Sequence, residues 1–292
     1  MTVLAVVLAL LAAMLFAVAS AAQQRTAAAV PDAKAHGLGL MKILVRRPLW
    51  WVGTVSDGTG YAAQAAALGL GSLLLVQPLL VTTLLFALPL SARWAGRHLR
   101  RTDWMWAGLL AAALAVFVVS GDPTAGVDRA PVQRWLPAAA MLGALLAGCL
   151  LGAATRRGTS RAVLLAVATG VAFGVVAALT KGAVSRLDDG IPALLTTWEA
   201  YGVVGASIAG TLMQQSAYQA GALSASLPAM TVGEPVVAVA LGVAVLEEQL
   251  RSDGAEWVLI GALVVVMVAA TVALARSAAQ ASDRLRVAGA PG

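Results

Sequence analysis

From Gln64 to Asp103 the chain reads QAAALGLGSLLLVQPLLVTTLLFALPLSARWAGRHLRRTD. This is a helix end, a tight turn at Gly69-Leu70-Gly71, an apolar helix interrupted by Pro78, and a basic tail. A degenerate copy returns 150 residues later. With Gln64 set against Gln214, Ala67 meets Ala217, Gly71 meets Gly221, Leu73 meets Leu223 and Pro78 meets Pro228, without a gap. Arg101 and Asp103 then meet Arg251 and Asp253. Apolar matches are cheap in a chain rich in Ala, Val and Leu. The shared Gly, Pro and terminal Arg-x-Asp are less so, and they predict an internal repeat.

The surrounding chain sets the medium. Its 292 residues are 60% hydrophobic and 12% charged, against about 25% charged in a soluble domain. Mean hydropathy is +0.85. A soluble fold could not bury this much apolar surface, so lipid must cover it. The formal charge of +6 then reads as Lys/Arg-rich cytoplasmic loops rather than a nucleic-acid partner. The single cysteine, Cys149, excludes an internal disulfide and a cysteine-based metal site. It reads as a small helix-packing residue.

A spanning helix needs about 20 mostly apolar residues. Nine segments qualify: 2–22, 50–69, 72–92, 103–120, 135–155, 160–182, 192–217, 222–247 and 255–275. The fold class expected is an all-α integral membrane protein of nine, or at most ten, helices. Turn residues or charge mark the breaks, as at Gly121-Asp122-Pro123, Arg156-Arg157-Gly158, Asp188-Asp189-Gly190 and Ser252-Asp253-Gly254. Ala19-Ser20-Ala21 resembles a signal-peptide cleavage site, but no Lys or Arg precedes Arg25. The first segment is therefore read as a span. Residues 23–49 form a long basic loop with a short amphipathic piece around 38–45, and residues 277–292 read as a frayed tail.

Charge orients the helices. With the N-terminus outside, the inner loops hold fifteen of the twenty Lys and Arg residues, and the outer loops keep Arg129, Arg134, Lys181, Arg186 and Arg251. The positive-inside rule selects this orientation, N-out and C-in, in a bacterial inner membrane. Arg101 then lies inside and its counterpart Arg251 outside. Two copies of one helical unit in opposite orientations form an inverted-topology repeat, an architecture of secondary transporters. The division expected is residues 1–134 as a first four-helix repeat and 135–159 as a connector helix. Residues 160–276 form the second repeat and 277–292 a cytoplasmic tail.

Ala67-Leu68-Gly69-Leu70-Gly71-Ser72, followed by Leu75-Val76-Gln77-Pro78-Leu79, resembles a segment of the drug/metabolite transporter (DMT) superfamily, EamA-like. So do Ala220-Gly221-Ala222-Leu223, Ser226-Leu227-Pro228, Glu234-Pro235 and Leu246-Glu247-Glu248-Gln249-Leu250. The resemblance covers residues 50 to 275 through short motifs. It implies a membrane permease that exports metabolites or drugs without ATP hydrolysis. Members usually have five plus five helices. A count of nine is nearer the magnesium-transporter-like (NIPA-type) branch.

Ionisable residues inside a span are costly and so are functional candidates. Asp57 lies about 10 Å into the second helix at 1.5 Å per residue, in the Gly-rich setting Gly53-x-x-x-Asp57-Gly58-x-Gly60. Glu199 lies at a similar depth in the seventh segment, beside Trp198 and Tyr201, and Glu234 near the middle of the eighth, before Pro235. Each also has a structural reading. Asp57 could cap a broken helix, Glu199 could turn towards the outer interface, and Glu234 could be a protonated or paired structural group. Lys181 and Arg186 are expected to reach the outer interface, and Glu247, Glu248 and Glu256 to be solvated rim residues.

Gln77, Thr82, Thr83, Gln214, Tyr218 and Ser226 could line a cavity between the repeats. Interhelical hydrogen bonding is the simpler reading of any one of them. Pro78, Pro228 and Pro235 are candidate kinks or hinges. There is no G-x-x-x-x-G-K-[ST] loop for ATP, no H-E-x-x-H, and no cluster with catalytic spacing. An enzyme and a bound cofactor are not expected.

The leading expectation is an alternating-access carrier that exports a small metabolite or drug, with Asp57, Glu199 or Glu234 exchanging a proton for substrate. Low dielectric favours a neutral carboxyl, which suits that exchange. The alternative is transport of Mg²⁺ or another divalent cation on the same three carboxylates. A third is a non-transporting scaffold. The partners expected are the small-molecule substrate, protons or Mg²⁺, the lipid bilayer and a homodimer mate.

Overall fold

The computed structural model describes residues 2–28, 46–94, 99–121, 123–124, 126–220, 223–250 and 256–288. The regular structure of the described residues is helical, apart from an isolated antiparallel bridge between Pro123 and Leu250. The helices are α1 (Thr2–Ala28), α2 (Pro48–Leu70), α3 (Leu73–Leu80), α4 (Thr83–Trp94), α5 (Arg101–Gly121), α6 (Val132–Thr155), α7 (Gly158–Val184), α8 (Ile191–Thr196), α9 (Trp198–Ala220), α10 (Leu223–Ala244) and α11 (Glu256–Ala288). A 3₁₀ turn over Ser185–Asp189 joins α7 to α8.

Seven helical stretches are long and apolar enough to cross a membrane: Val3–Ala22, Leu73–Leu90, Arg101–Ser120, Val132–Thr155, Gly158–Asp189, Ser226–Ala244 and Val258–Ser277. Large apolar side chains on them face outwards, among them Val119 at 82% exposure and Val258 at 77%. Such surface belongs in lipid. The chain thus has the build of a multi-pass membrane protein. The other two expected spans are also helices, α2 and α9, each of 23 residues. They hold Asp57, Gln64, Glu199, Gln214 and Gln215, and composition alone does not qualify them.

Local chemistry sets the breaks. Pro48 opens α2, where its missing N–H costs nothing. The Ser72 side chain caps α3 by accepting the Leu75 N–H at 3.1 Å. Beyond Pro78 the ladder tightens, with Val81 N–H donating to Pro78 O and Thr82 N–H to Leu79 O. The expected segment 72–92 is thereby split at Val81-Thr82. The expected segment 192–217 is also split, at Thr197 between α8 and α9. In α10, by contrast, Pro228 and Pro235 sit inside an unbroken helix. The expected frayed tail is helical, since α11 runs on to Ala288. Most of the loop expected over 23–49, with its amphipathic piece, lies outside the described residues, and α1 continues through Ala28.

Of the seven stretches the most enclosed is that of α7, where most residues from Ala162 to Ala183 are buried. It packs on α9, α10 and α6, while α1 packs on α2, α3 and α4. Glycines set the α7–α10 crossing: a Cβ on Gly170 would lie 2.9 Å from Gly233 Cα, and one on Gly174 2.6 Å from Val237 Cβ. Close backbone approach through small residues is how helices pack where lipid removes the hydrophobic drive.

The helices run up and down. One end gathers the start of α3, the end of α7, the start of α9 and the segment following α10. The other gathers the end of α6 with the starts of α7 and α10 around Ala153, Leu165, Ala166, Ala217 and Met230. There too, Ser277 of α11 donates to Asp103 of α5 at 2.7 Å. So α3 starts at the end where α10 finishes. The bounds of α9 are those of α2 plus 150, and α10 spans α3 and α4 plus 150 (198 − 48 and 244 − 94).

Candidate functional site

The buried charges at the end where α3 starts form closed sets. Lys181, at the last turn of α7, is 1% exposed, and its Nζ lies 2.7 Å from Glu248 Oε1. The Glu248 carboxylate also accepts the backbone N–H groups of Leu73 at 2.8 Å and Leu74 at 3.0 Å. A carboxylate belongs at a helix N-terminus, where orphan N–H groups carry partial positive charge. Three charge-assisted contacts offset the desolvation of both ions. Asp128 Oδ1 stands 4.0 Å from Lys181 Nζ on the exposed side.

A second set lies nearby. Arg129 Nε and an Nη hold the two oxygens of Glu199 at 2.5 and 3.1 Å, and Thr197 Oγ1 also donates to Glu199. The Glu199 carboxylate bonded to it raises the Arg129 guanidinium above its ordinary pKa, against the lowering from partial burial. Glu199 is 1% exposed, and Gly182 of α7 leaves room for it. The neighbouring rings of Trp135 and Trp198 meet edge to face at 5.6 Å.

These contacts correct two expectations. Lys181 does not reach the interface, and Glu248 is not a solvated rim residue; both are enclosed. Glu247 is exposed, as its loop position suggests, and pairs with Arg134 at 2.9 Å. Glu247 adopts φ +57, an uncommon conformation for a residue with a side chain. That turn sends two adjacent glutamates into opposite environments. The Glu256 side chain lies outside the described residues.

The middle of the molecule differs. Asp57 on α2 and Glu234 on α10 are both partly buried, and among the described residues neither forms an ion pair or hydrogen bond. Tyr61 follows Asp57 by about one helical turn on α2. The Tyr61 ring packs edge to face on Phe16 of α1 at 4.9 Å. The Gly170 and Gly174 crossing touches the Glu234 backbone, so α7 fixes where that residue sits. Asp57 and Glu234 thus sit on different helices, α2 and α10, and Glu199 lies apart from both in its own set.

Among the polar candidates, Gln77 and Ser226 are 1% and 0% exposed, and among the described residues Gln77 Nε2 and Ser226 Oγ have no partner. Buried polar atoms are rarely left so. Thr82 is buried and its hydroxyl donates to Leu79 O at 2.6 Å, a local helix bond. Thr83 and Gln214 are partly buried, and the Tyr218 side chain lies outside the described residues. Two open depressions occur, an apolar one of about 360 Å³ beside Met14 and Phe86 and one of about 270 Å³ beside Arg129 and Trp198. Neither is lined by Asp57 or Glu234. Among the described residues no three His, Cys, Asp or Glu side chains converge as metal ligands.

Sequence reasoning missed the partnership of Lys181, Glu248 and Arg129. Lys181 and Glu248 are 67 residues apart and share no motif. The available signal was Lys181 itself, a cation closing a long run of small apolar residues.

No family model matches the chain, and no solved structure does. An uncharacterized protein of Corynebacterium glutamicum is 38% identical over 276 residues, covering 94% of this chain and 95% of the relative. At that identity over nearly the whole of both proteins, the chain belongs to one family with this uncharacterized corynebacterial protein.

Proposed function

We propose that the protein is a secondary carrier of the DMT/EamA-like type, exporting a small organic metabolite or drug by alternating access, with proton exchange on Asp57 and Glu234. The observation that carries this reading is a contrast in charge. Lys181, Glu248 and Glu199 are buried and matched, whereas Asp57 and Glu234 sit among helices without a basic partner among the described residues. An unmatched carboxylate at that depth is costly and is a functional site by default. Proton exchange requires such a group, because a fixed ion pair would hold the carboxylate charged.

Two features support the inverted repeat. The helix bounds coincide after a shift of 150 residues, and α3 starts where α10 ends. Opposed copies supply two equivalent arrangements of one bundle, the basis of alternating access. With the N-terminus outside, the end that carries Lys181, Glu199 and Glu248 is the outer one, and the Arg-rich turns lie within.

The test uses purified protein in proteoliposomes. With a pH gradient imposed, uptake of amino acids, amines and ethidium is followed with and without a protonophore. Uptake that follows the gradient, and is lost in Asp57→Asn and Glu234→Gln, is the expected result. Gradient-independent Mg²⁺ flux, or wild-type uptake in both variants, overturns the reading.

A further inference from the structure

From the contacts at the end where α3 starts we infer a gate: Glu248 is the bolt, the Lys181 ammonium and the Leu73 and Leu74 N–H groups are its keeper, and Thr124 with residues 126–129 of the α5–α6 loop are a strap laid across it. This rests on the carrier reading for its purpose, and on the contacts alone for its existence.

The bolt joins elements from both halves. Glu248 follows α10, Lys181 closes α7, and Leu73 opens α3. One carboxylate therefore ties the first helical turn of one half to two helices of the other. Its own backbone is held as well, since Glu248 N–H donates to Gly242 O at 2.9 Å. Gly242 has no side chain where the Glu248 carboxylate lies; a Cβ there would stand 2.6 Å from Oε2.

The strap covers this arrangement from outside. Thr124 N–H donates to Gln249 O at 2.8 Å, Val127 N–H to Leu246 O at 2.7 Å, and Gln249 N–H to Thr124 Oγ1 at 3.0 Å. Gly126 lies against the Leu246 carbonyl at φ +59, where a Cβ would collide with it. Next along the strap, Asp128 approaches Lys181 and Arg129 holds Glu199. The strap thus binds the segment after α10, the end of α7 and the start of α9.

The bolt's own contacts are polar, although Leu73, Val245 and Leu246 around it belong to the apolar core, and polar contacts suit a device that must open. Polar groups exchange a protein partner for water at small net cost, whereas an apolar plug loses all its burial. One helical turn behind the bolt lies Gln77, 1% exposed, its side-chain nitrogen without a partner among the described residues. Opening the bolt would admit water to that amide.

Gln77→Cys in a Cys149→Ala background reports opening through labelling by a membrane-impermeant maleimide. Glu248→Gln is expected to raise the labelling rate about tenfold, the effect of a modest shift in open population. Arg186→Ala, which breaks the exposed pair with Asp189, is expected to leave it unchanged.

Gly126→Ala covers the case in which Glu248→Gln fails to fold, because it leaves the buried ion pair intact and strains the strap at its contact with the Leu246 carbonyl. It should raise both hydrogen exchange over residues 245–250 and labelling at position 77. Raised exchange with unchanged labelling overturns the gate. A gate that opens in a protein carrying none of the tested cargoes refutes the carrier reading instead, and the two failures are thereby distinguished.

Discussion

Two groups of ionisable residues share this bundle, and their surroundings differ. At one end Glu248 meets a lysine and two backbone N–H groups, and Glu199 meets an arginine and a threonine. In the middle, Asp57 and Glu234 have no such partners among the described residues. Burial alone does not separate the groups, for Glu248 and Glu199 are the more enclosed. Partnership does. A carboxylate whose charge is fully answered by neighbours holds structure together, and one left unanswered is available for chemistry. Function is therefore better sought in the incompletely satisfied residues than in the most buried ones.

The largest effect expected of any single substitution falls on the answered group. Glu248→Ala leaves the Lys181 ammonium enclosed and two α3 N–H groups without an acceptor. Breaking a buried pair from one side costs about 3–5 kcal/mol. Thermal unfolding in detergent should show the loss, and Lys181→Met combined with Glu248→Met should recover part of it. A wild-type melting temperature in Glu248→Ala would erase the contrast.

Next comes the crossing that positions Glu234. A methyl on Gly174 would meet Val237 Cβ at 2.6 Å and Glu234 O at 2.9 Å. Gly174→Ala should therefore force α7 from α10 and cost about 1–3 kcal/mol by overpacking. It should also lower transport more than thermal stability, because it moves the Glu234 backbone. Gly108, with open space around it, is the control: Gly108→Ala should leave both unchanged. Smaller again is Glu199→Gln. Its Arg129 partner is 39% exposed at the side chain and can turn to water, so about 1 kcal/mol is expected. Denaturation in detergent measures it, and a loss as large as that of Glu248→Ala would mean that Arg129 is not free to rehydrate.

Much of this arrangement is legible in the sequence, for definite reasons. Apolar runs of membrane length, separated by turn residues, place the helices because the bilayer fixes their length. Pro78 marks a break for lack of an N–H, and the helix does break three residues later. Pro228 and Pro235, the same residue type in the copy, break nothing. Asp57 and Glu234 stand out because each is an acid inside an apolar segment. Glu248 does not, because Leu246-Glu247-Glu248-Gln249-Leu250 has the composition of a solvated loop. Its burial depends on the positive φ of Glu247, on Gly242 and on helix starts far away in sequence. No local pattern encodes a partner 175 residues distant.

The smallest structural effect belongs to the residues proposed to matter most. Asp57→Asn and Glu234→Gln remove a charge that no described neighbour answers, and leave a side chain of nearly the same shape. Among the described residues no ion pair is lost and no donor is orphaned, so the usual routes to large destabilisation are closed. Removing an uncompensated charge from an apolar bundle relieves desolvation, so both variants should match or exceed the wild type by up to about 1 kcal/mol. Proton-driven uptake should nonetheless fall to background, because an amide cannot exchange the proton. A pair of variants at least as stable as the wild type and unable to transport would separate function from structure at these two positions. Two variants destabilised as strongly as Glu248→Ala would show that Asp57 and Glu234 belong with the answered group.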